Sequence, residues 1–438
     1  MSLRIRNLRR DTFKSMHVRN FRLFFGGQLI SQVGNWLTMI AMTLLVLKIT
    51  GNGLAVGLMA ACQFAPVLLF GPWAGLIADR SDKRKLLFIV QVIAMFQSFA
   101  LASLAFMHPT PLIPLYLVAL VGGFTVAFDN PARRAFVTEM VPDEDMNNAV
   151  SLNSALMTSS RIFGPALAGV LIHFYGYGWC FLVDAFSYIA VLFGLGMMRT
   201  SELRPTPVAV RAKGQVREGL RYVRTVPELW IPLVMMTLVG TLAFNFNVVV
   251  PLFVEKSLNG NVSQFTLVLS AMSCGSLVGA LSVARRKSIS IRDVVVASLV
   301  FGAAMALFAA APSLGFAFPV APLVGFGSIS FLTASTAIVQ IYAAPKMRGR
   351  VLALQAMVFL GSTPVGGPIL GALSDAWGAR SGLVVGALAC FAAAAFGLIA
   401  GRRVLAAPVQ NDRMSEVEQD LPIELLDAGN DARRPLPA

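Results

Sequence analysis

Charged side chains are scarce in this sequence. They make up 13% of its 438 residues, whereas about a quarter of the residues in a soluble domain are charged. Hydrophobic residues account for 56%, which is more apolar surface than a soluble core of this size could bury. The composition therefore predicts an all-α membrane protein that crosses a bilayer several times.

Motifs for catalysis and metal binding are also missing from the sequence. It contains no nucleophile–base pair and no phosphate-binding loop, and its four cysteines lie in four different apolar runs without metal spacing. We therefore expect no enzyme, no cofactor and no metal site, and we interpret Cys62, Cys180, Cys274 and Cys390 as small buried apolar residues. The net charge of +14 does not indicate a nucleic-acid partner, because Lys and Arg recur in short segments between apolar runs.

Twelve apolar runs are long enough to cross a bilayer as helices. They cover residues 21–47, 54–78, 86–107, 112–128, 147–174, 178–198, 230–254, 264–284, 294–311, 314–342, 351–376 and 381–401. With the N-terminus placed in the cytoplasm, 32 of the 36 Lys and Arg residues fall on the cytoplasmic side. This alternation follows the positive-inside rule and predicts a multi-pass protein of the inner (cytoplasmic) membrane with both termini in the cytoplasm.

The two halves of the sequence repeat each other. A Gly-Pro pair in the fifth run recurs 203 residues later in the eleventh, and a further glycine follows each pair. The repeated residues are Gly164, Pro165 and Gly169 in the fifth run and Gly367, Pro368 and Gly371 in the eleventh. The repeat indicates a duplication of six spans, so we expect two pseudo-symmetric six-helix bundles with a substrate site between them near the bilayer midplane.

This duplication predicts five segments along the chain. The two bundles would cover residues 21–198 and 230–403. A cytoplasmic N-terminal segment (1–20) is basic and polar, which predicts no cleavable signal peptide. The linker (199–229) is expected to be helical from Gln215 to Thr225, and the acidic, proline-bearing segment 404–438 is expected to be a disordered tail.

Three stretches and one charged turn resemble a known family. Gly75, three apolar residues, Asp79-Arg80, two residues and a basic pair resemble the loop 2–3 signature of the major facilitator superfamily. The stretches FRLF (21–24), NPARRA (130–135) and VDAFSY (183–188) resemble its drug-and-siderophore exporter branch, which includes enterobactin exporters and macrolide efflux pumps. The resemblance covers nearly all of residues 20–403.

The resemblance implies the major facilitator fold and a secondary active efflux transporter. It would export a lipophilic drug, a siderophore or a similar metabolite by alternating access and proton antiport. Its partners would be a small-molecule cargo, protons and the lipid bilayer, and the protein is expected to be a monomer. Two alternatives remain open, namely an importer or lipid flippase of the same fold, or a non-transporting membrane receptor or assembly factor.

The resemblance also assigns gating roles to charged residues at the cytoplasmic ends of spans. Asp79 would face the N-terminal end of the eleventh span, where free N–H groups favour a carboxylate. Lys83 or Arg84 would pair with Asp129 while the transporter is open to the outside, although all these charges could simply anchor loops at the headgroups. The family usually has Gly where Asp82 stands, so we expect a less tight turn and a different salt-bridge partner. The full gating set is Asp79, Arg80, Lys83, Arg84, Asp129, Arg133 and Arg134.

Two ionisable residues lie inside apolar runs and are candidates for coupling or substrate binding. Arg161 stands about 20 Å from either end of the fifth run, too far for its side chain to reach an interface. Asp184, about 9 Å from the outer end of the sixth run, is the best titratable candidate. Asn35 follows Gly34 where the family often has an acid, so coupling through the first span is excluded. The alternatives are a fixed ion pair for Arg161 and permanent hydrogen bonding for Asp184, whose depth fits Arg161 poorly as a partner.

Uncharged polar residues fall on helical faces of several spans. In lipid such stripes must turn inward, toward a cavity or a helix contact. The candidates for lining a cavity are Gln28, Gln32, Asn35, Ser154, Thr158, Thr241, Asn245, Thr333, Thr336 and Gln340. The repeated Gly and Pro residues fit either the family's antiporter signature or a purely structural role in helix packing.

Overall fold

The structure is a computed structural model that describes residues 13–204, 215–286 and 288–402. The predicted tail and most of the predicted N-terminal segment lie outside these residues. Within them the chain forms fifteen α-helices. They are α1 (Arg19–Thr50), α2 (Gly53–Arg80), α3 (Lys83–Phe106), α4 (Leu112–Met140), α5 (Asp143–Tyr175), α6 (Tyr177–Gly196), α7 (Gln215–Thr225), α8 (Pro227–Leu242), α9 (Phe246–Leu252), α10 (Val262–Ala284), α11 (Ile291–Ala309), α12 (Leu314–Tyr342), α13 (Pro345–Gly361), α14 (Thr363–Trp377) and α15 (Ser381–Ala400).

Twelve helical segments are long and apolar enough to cross a membrane, which confirms the predicted number. Two of them are interrupted, although the sequence predicted continuous runs. The seventh span consists of α8, a break at residues 243–245, α9 and a π-helical turn (Phe253–Ser257), and the eleventh consists of α13 and α14 with a break at Ser362. Side-chain hydropathy does not register such breaks, because the residues on both sides are apolar.

The fourth span extends well beyond the predicted end at residue 128 and reaches Met140. The apolar run stops where Asp129 begins, but the helix continues because Asp129 and Arg133, one turn apart, form an ion pair on it. Pro131 is accommodated inside the helix. The length of the apolar run therefore underestimated the length of this helix, which continues through charged residues.

Short capped turns join successive spans. The Asp82 side chain accepts a hydrogen bond from the Lys85 backbone N–H at 3.1 Å and caps α3. The less tight turn expected from Asp82 is wrong, since only Ser81 and Asp82 separate α2 from α3. The Asn52 side chain caps α2 in the same way through Ala55 N–H at 3.1 Å.

The helices form two bundles with equivalent packing, as the duplication predicted. In the first half α1 packs against α6, α2 against α4 and α3 against α6. The corresponding spans of the second half pair in the same order, α8 with α15, α10 with α12 and α11 with α15. The linker helix α7 has the predicted extent and packs against α13, where Glu218 and Arg350 form an ion pair at 2.5 Å.

The ends of the spans define two faces of the molecule. The basic face is the one at which α1 begins, α2 ends at Arg80 and α3 begins at Lys83. The opposite face is the one at which α1 ends at Thr50 and α2 begins at Gly53.

Candidate functional site

The two halves meet at a close glycine crossing near the opposite face. Gly53 and Gly57 of α2 lie against Gly371 and Gly367 of α14. A Cβ atom on Gly57 would lie only 2.7 Å from the Cα atom of Pro368, so only glycine allows this approach. Small residues four positions apart on both helices are the usual means of bringing two membrane helices into backbone contact.

A second crossing joins the halves through α5 and α10. Gly169 of α5 packs against the Thr266 side chain, and the Ser270 hydroxyl donates a hydrogen bond to the Ile162 carbonyl at 2.9 Å. Gly164 instead packs against Trp36 within the first half. The repeated glycines of the fifth and eleventh spans thus lie at helix crossings, which supports the packing interpretation. The coupling role implied by the antiporter signature remains a prediction.

One carboxylate joins the halves at the opposite face. Asp375, in the last turn of α14, accepts hydrogen bonds from the Gly53 and Leu54 backbone N–H groups, both at 2.8 Å. Lys256 donates to the same carboxylate at 3.3 Å. The free N–H groups at the start of α2 favour a negative charge, so Asp375 caps a helix of the other half. Sequence reasoning missed this residue; its signal is an acid at the end of an apolar run, as for Asp79.

A central cavity of about 340 Å³ lies between the halves on the basic side of these crossings. The first half contributes Asn35, Trp36 and Arg161 to its lining, and the second half contributes residues at or next to both helix breaks, such as Asn245 and Thr363. Non-helical backbone at membrane depth is tolerated where it lines a cavity. The position of both breaks beside the central cavity agrees with this rule.

The break between α8 and α9 presents a polar group to the central cavity. The Asn245 side-chain N–H donates to the Thr241 carbonyl at 2.8 Å, which satisfies an acceptor freed by the break. Its Oδ1 atom is buried and has no hydrogen-bond partner among the described residues. Phe244 packs edge-to-face on Phe359 with ring centroids 5.0 Å apart, so this break contacts the last turn of α13.

Arg161 lies where the central cavity meets a second cavity inside the first half. This N-half cavity has a volume of about 470 Å³, and Arg161 lines both cavities together with Asn35 and Gln63. No hydrogen bond or ion pair joins its guanidinium to any of the described residues. The fixed ion pair considered as an alternative is therefore not formed in this conformation.

Asp184 is fully buried beside the N-half cavity. Its Oδ2 atom accepts hydrogen bonds from the Thr38 hydroxyl at 2.6 Å and the Ser98 hydroxyl at 2.8 Å. One turn further along α6, the Tyr188 hydroxyl donates to Asn35 Oδ1 at 2.9 Å and reaches the cavity wall. Asp184 thus has the hydrogen-bonded surroundings of the packing alternative, and its titration remains a prediction.

Asp129 belongs to a polar cluster at the basic end of the N-half cavity. It forms an ion pair with Arg133 and accepts a hydrogen bond from Gln91 at 2.7 Å. Arg133 also donates to Gln28 Oε1, and Gln32 extends the cluster toward Asn35. This cluster lines the same cavity as Thr38 and Tyr188 beside Asp184.

Lys83 and Arg84 have other partners than Asp129 in this conformation, and their pairing with Asp129, expected for the state open to the outside, stays a prediction. Lys83 forms an ion pair with Glu139 at 2.7 Å, and Arg84 donates to the Leu195 carbonyl, also at 2.7 Å. The reason is the length of α4. Glu139 lies near its end at the basic face, whereas Asp129 lies ten residues deeper, about 15 Å along the helix axis.

Replacing Glu139 with alanine is expected to destabilise the first half. Both Lys83 and Glu139 are buried, so the substitution leaves an ammonium group without its counter-charge, at a cost of about 3 kcal/mol. The melting temperature in detergent should fall by several degrees, and Lys83→Met combined with Glu139→Leu should recover most of it. An unchanged melting temperature in Glu139→Ala would contradict a stabilising pair.

The other gating candidates lie at the basic face. Arg80 and Arg134 are exposed, and Asp79 is half-buried at the end of α2. The structure brings α2 into contact with α13, the first part of the eleventh span. A gating role for Asp79 against that span stays a prediction.

The predicted cavity-lining residues divide into three groups. Gln32, Asn35, Thr158 and Asn245 line one or both cavities. Gln28, which is buried beneath Arg133, and Thr336, whose hydroxyl accepts a hydrogen bond from Gln355 of α13 at 3.2 Å, instead lie at contacts between helices, the alternative left open for these stripes. Those outside both cavities are Ser154, Thr241, Thr333 and Gln340. The interpretation of Cys274 as buried is also wrong, because it is exposed on the bundle surface.

Several lining residues were missed by sequence reasoning. Gln63 of α2, Gln91 and Gln97 of α3, and Tyr188 of α6 line the N-half cavity. The amides could have been found by the rule that a polar group in an apolar span turns inward. Trp36 gives no such signal, because aromatic residues are equally common on lipid-facing surfaces.

Comparison with known proteins agrees with this architecture. Residues 11–430 match the family described as transmembrane secretion effector, within the major facilitator superfamily. The chain belongs to this family. The secretion effector family is a family of transporters, so the protein is a multi-pass membrane transporter and not an enzyme, as the sequence predicted.

Relatives of known activity include exporters. The chain is 22% identical to macrolide efflux protein A of Streptococcus pyogenes over 352 residues, which cover 79% of this chain and 87% of that protein. It is 24% identical over 80% of its length to the multidrug efflux pump Tap of Mycolicibacterium fortuitum. It is 25% identical over 59% of its length to the staphyloferrin A transporter of Staphylococcus aureus, of which it spans 66%.

Solved structures share the fold. A bacterial homologue of the human lysosomal transporter Spinster, in an inward-facing and unoccupied conformation, superimposes with a TM-score of 0.73. The superposition covers 88% of this chain and 97% of that one at 15% sequence identity. This likeness confirms the fold expected for the secretion effector family and says nothing about cargo.

Proposed function

We propose that this protein exports a lipophilic drug, a siderophore or a similar small metabolite from the cytoplasm by alternating access, in exchange for protons. The observation that carries the proposal is the central cavity on the seam between two equivalent bundles, closed toward one face by crossings that involve few residues. The macrolide efflux protein and the pump Tap, both similar along most of the chain, support export.

The basic face is taken as the cytoplasmic face, because Lys and Arg are retained on that side of a membrane. The glycine crossings and Asp375 then close the outer side of the cavity. Toward the basic face, the polar residues Ser151 and Ser154 of α5 and Asn130 of α4 are exposed. Since exposed polar groups at membrane depth require water, this arrangement corresponds to an inward-open state.

Outward opening requires the crossings near the opposite face to separate while the basic ends of the halves approach. The separation breaks the hydrogen bonds of Asp375 with α2 and that of Ser270 with Ile162. In the outward-open state Asp79 would face the start of α13 and replace these contacts with a similar one at the other face. Each face would thus be held by a carboxylate at the start of a helix in the other half.

Proton exchange is assigned to the first half. Asp184 and Asp129 are acids on either side of the polar N-half cavity, whose wall includes Thr38, the partner of Asp184, and Gln91, the partner of Asp129. A chain of hydroxyl and amide groups along a cavity that admits water offers a path for a proton between them. The wall shared with the central cavity would let cargo and protons influence the same helices.

Transport in everted membrane vesicles tests the proposed function. Vesicles energised by an acidic interior should accumulate at least one member of a drug and siderophore panel, and vesicles without the protein should not. Accumulation in right-side-out vesicles instead would identify an importer. If no member of the panel moves, and a deletion strain keeps normal sensitivity to the whole panel, export of such compounds is contradicted.

Replacing Asp375 with asparagine is expected to favour opening of the opposite face. The substitution keeps one acceptor but removes the charge that binds two N–H groups and Lys256, so the closed state should lose about fivefold in population. The reporter is Ser273→Cys, a central cavity position, in a background without other cysteines. A membrane-impermeant maleimide applied to the outer side should label it about fivefold faster.

The matched control is Asp293→Asn, which removes an acid paired with Arg286 at the basic face. It should leave the labelling rate from the outer side unchanged. Equal labelling rates in Asp375→Asn and wild type would show that Asp375 does not hold this face closed.

A further inference from the structure

The central cavity has one charged residue in its wall. The lining contains polar and apolar residues from both halves, and Arg161 is the single ionisable side chain among the described residues that form it. No carboxylate contacts this guanidinium among the described residues. The two acids at the N-half cavity are engaged elsewhere, Asp129 by Arg133 and Asp184 by Thr38 and Ser98. The cavity therefore carries an uncompensated positive charge.

The rest of the cavity wall is suited to an amphiphilic molecule. Trp36 and Phe64 of the first half face Phe244 and Phe359 of the second across the cavity. Asn245 adds a buried Oδ1 atom without a hydrogen-bond partner among the described residues. The central cavity thus combines an unpaired cation on one half, an unpaired acceptor on the other, and aromatic surfaces between them.

We propose that the cargo carries an anionic group, a carboxylate or a similar oxyanion, which binds Arg161 while an apolar body packs against the aromatic walls. An N–H or O–H group on the cargo would donate to Asn245 Oδ1. This inference rests on the proposed transport function and adds the charge class of the cargo. An anion gains charge-assisted hydrogen bonds to a planar guanidinium, whereas a cation of the same shape is repelled.

The position of Arg161 connects the bound anion to the outer crossing. The next residue, Ile162, offers the carbonyl that accepts the Ser270 hydrogen bond between the halves. An anion that draws Arg161 toward the cavity acts directly on the helix segment that must move for this contact to break. Cargo binding and outward opening would therefore share one turn of α5.

Binding to the full-length protein in phosphatidylcholine nanodiscs tests the proposal. The probes are naphthylacetate, naphthylacetamide and naphthylethylamine, which share one aromatic body and carry a negative, no and a positive charge. By isothermal titration calorimetry, wild-type protein should bind the carboxylate at least about tenfold more tightly than the amide or the amine. Arg161→Gln should remove this preference and keep the affinity for the amide, and Arg161→Lys should retain a reduced preference.

Arg292→Gln is the matched control, because it removes one exposed positive charge at the basic face without touching the cavity. It should keep the full preference for the carboxylate, and amide binding shows that each variant is folded. The proposal is overturned if wild type lacks the preference or binds no probe, or if Arg161→Gln retains the preference. Calorimetry needs no gradient and no direction of transport, so failure of export in vesicles and failure of anion recognition are separate results.

Discussion

Replacing Gly57 with valine is expected to reduce transport by at least about a hundredfold and to trap the protein open toward the opposite face. A Cβ atom at this position would lie 2.6 Å from the Gly367 carbonyl carbon and 2.7 Å from the Pro368 Cα atom. Both are backbone atoms of α14, which cannot rotate away as the end of a side chain could. Closure of the crossing would cost about 3 kcal/mol or more, which corresponds to the hundredfold change.

Two measurements separate a trapped transporter from a misfolded one. The outer-side labelling rate of Ser273→Cys should rise in Gly57→Val, and the melting temperature should change little, because the clash lies between the halves and not within either. Gly71→Val is the matched control on the same helix, since a Cβ atom there would have nothing within 4 Å. Wild-type transport by Gly57→Val would show that the crossing need not close during the cycle.

Neutralising both acids at the N-half cavity, by Asp129→Asn with Asp184→Asn, is expected to abolish efflux driven by a pH gradient. These carboxylates lie on either side of the polar N-half cavity, and the proposed proton path has no other acid among the described residues around that cavity. The asparagine side chain has nearly the same size as that of aspartate, but it cannot bind and release a proton. The Thr38 and Ser98 hydroxyls can turn to accept hydrogen bonds from the new amide, so the fold should persist.

The double variant must be distinguished from one that fails to bind cargo. It should still exchange labelled cargo down its own gradient when the pH is equal on both sides of the vesicle membrane. Asp293→Asn, at the basic face of the second half, is the control and should pump normally. Efflux by the double variant at the wild-type rate under a pH gradient would mean that this proton route is wrong.

Prediction from the sequence was strongest where the bilayer acts as the solvent. Lipid favours spanning segments that are apolar and helical. The twelve spans could therefore be counted from the apolar runs along the sequence. The same constraint identified Arg161 as a candidate, because an ionisable side chain deep in a span must face the bundle interior or a water-filled cavity. The repeat of the Gly-Pro pair was enough to predict two equivalent bundles.

Prediction was weakest for the partners of charged side chains, because these depend on contacts between segments that are distant in the sequence. The pairing of Lys83 with Glu139 in this conformation was not foreseen, because α4 continues beyond its apolar run. Asp375 was not recognised, since its partners Gly53 and Leu54 belong to the other half of the chain. Nothing in residues 363–377 alone indicates that a helix start lies within hydrogen-bond distance.

The sequence by itself determined the number of spans, their alternation across the membrane and the two-fold repeat, because these depend on the cost of placing each residue in lipid or water. Only the tertiary structure decided which small residues touch across the halves, where the seventh and eleventh spans break, and that Arg161 has no partner among the described residues. Those features depend on distances between segments hundreds of residues apart, and local residue preferences carry no information about such distances.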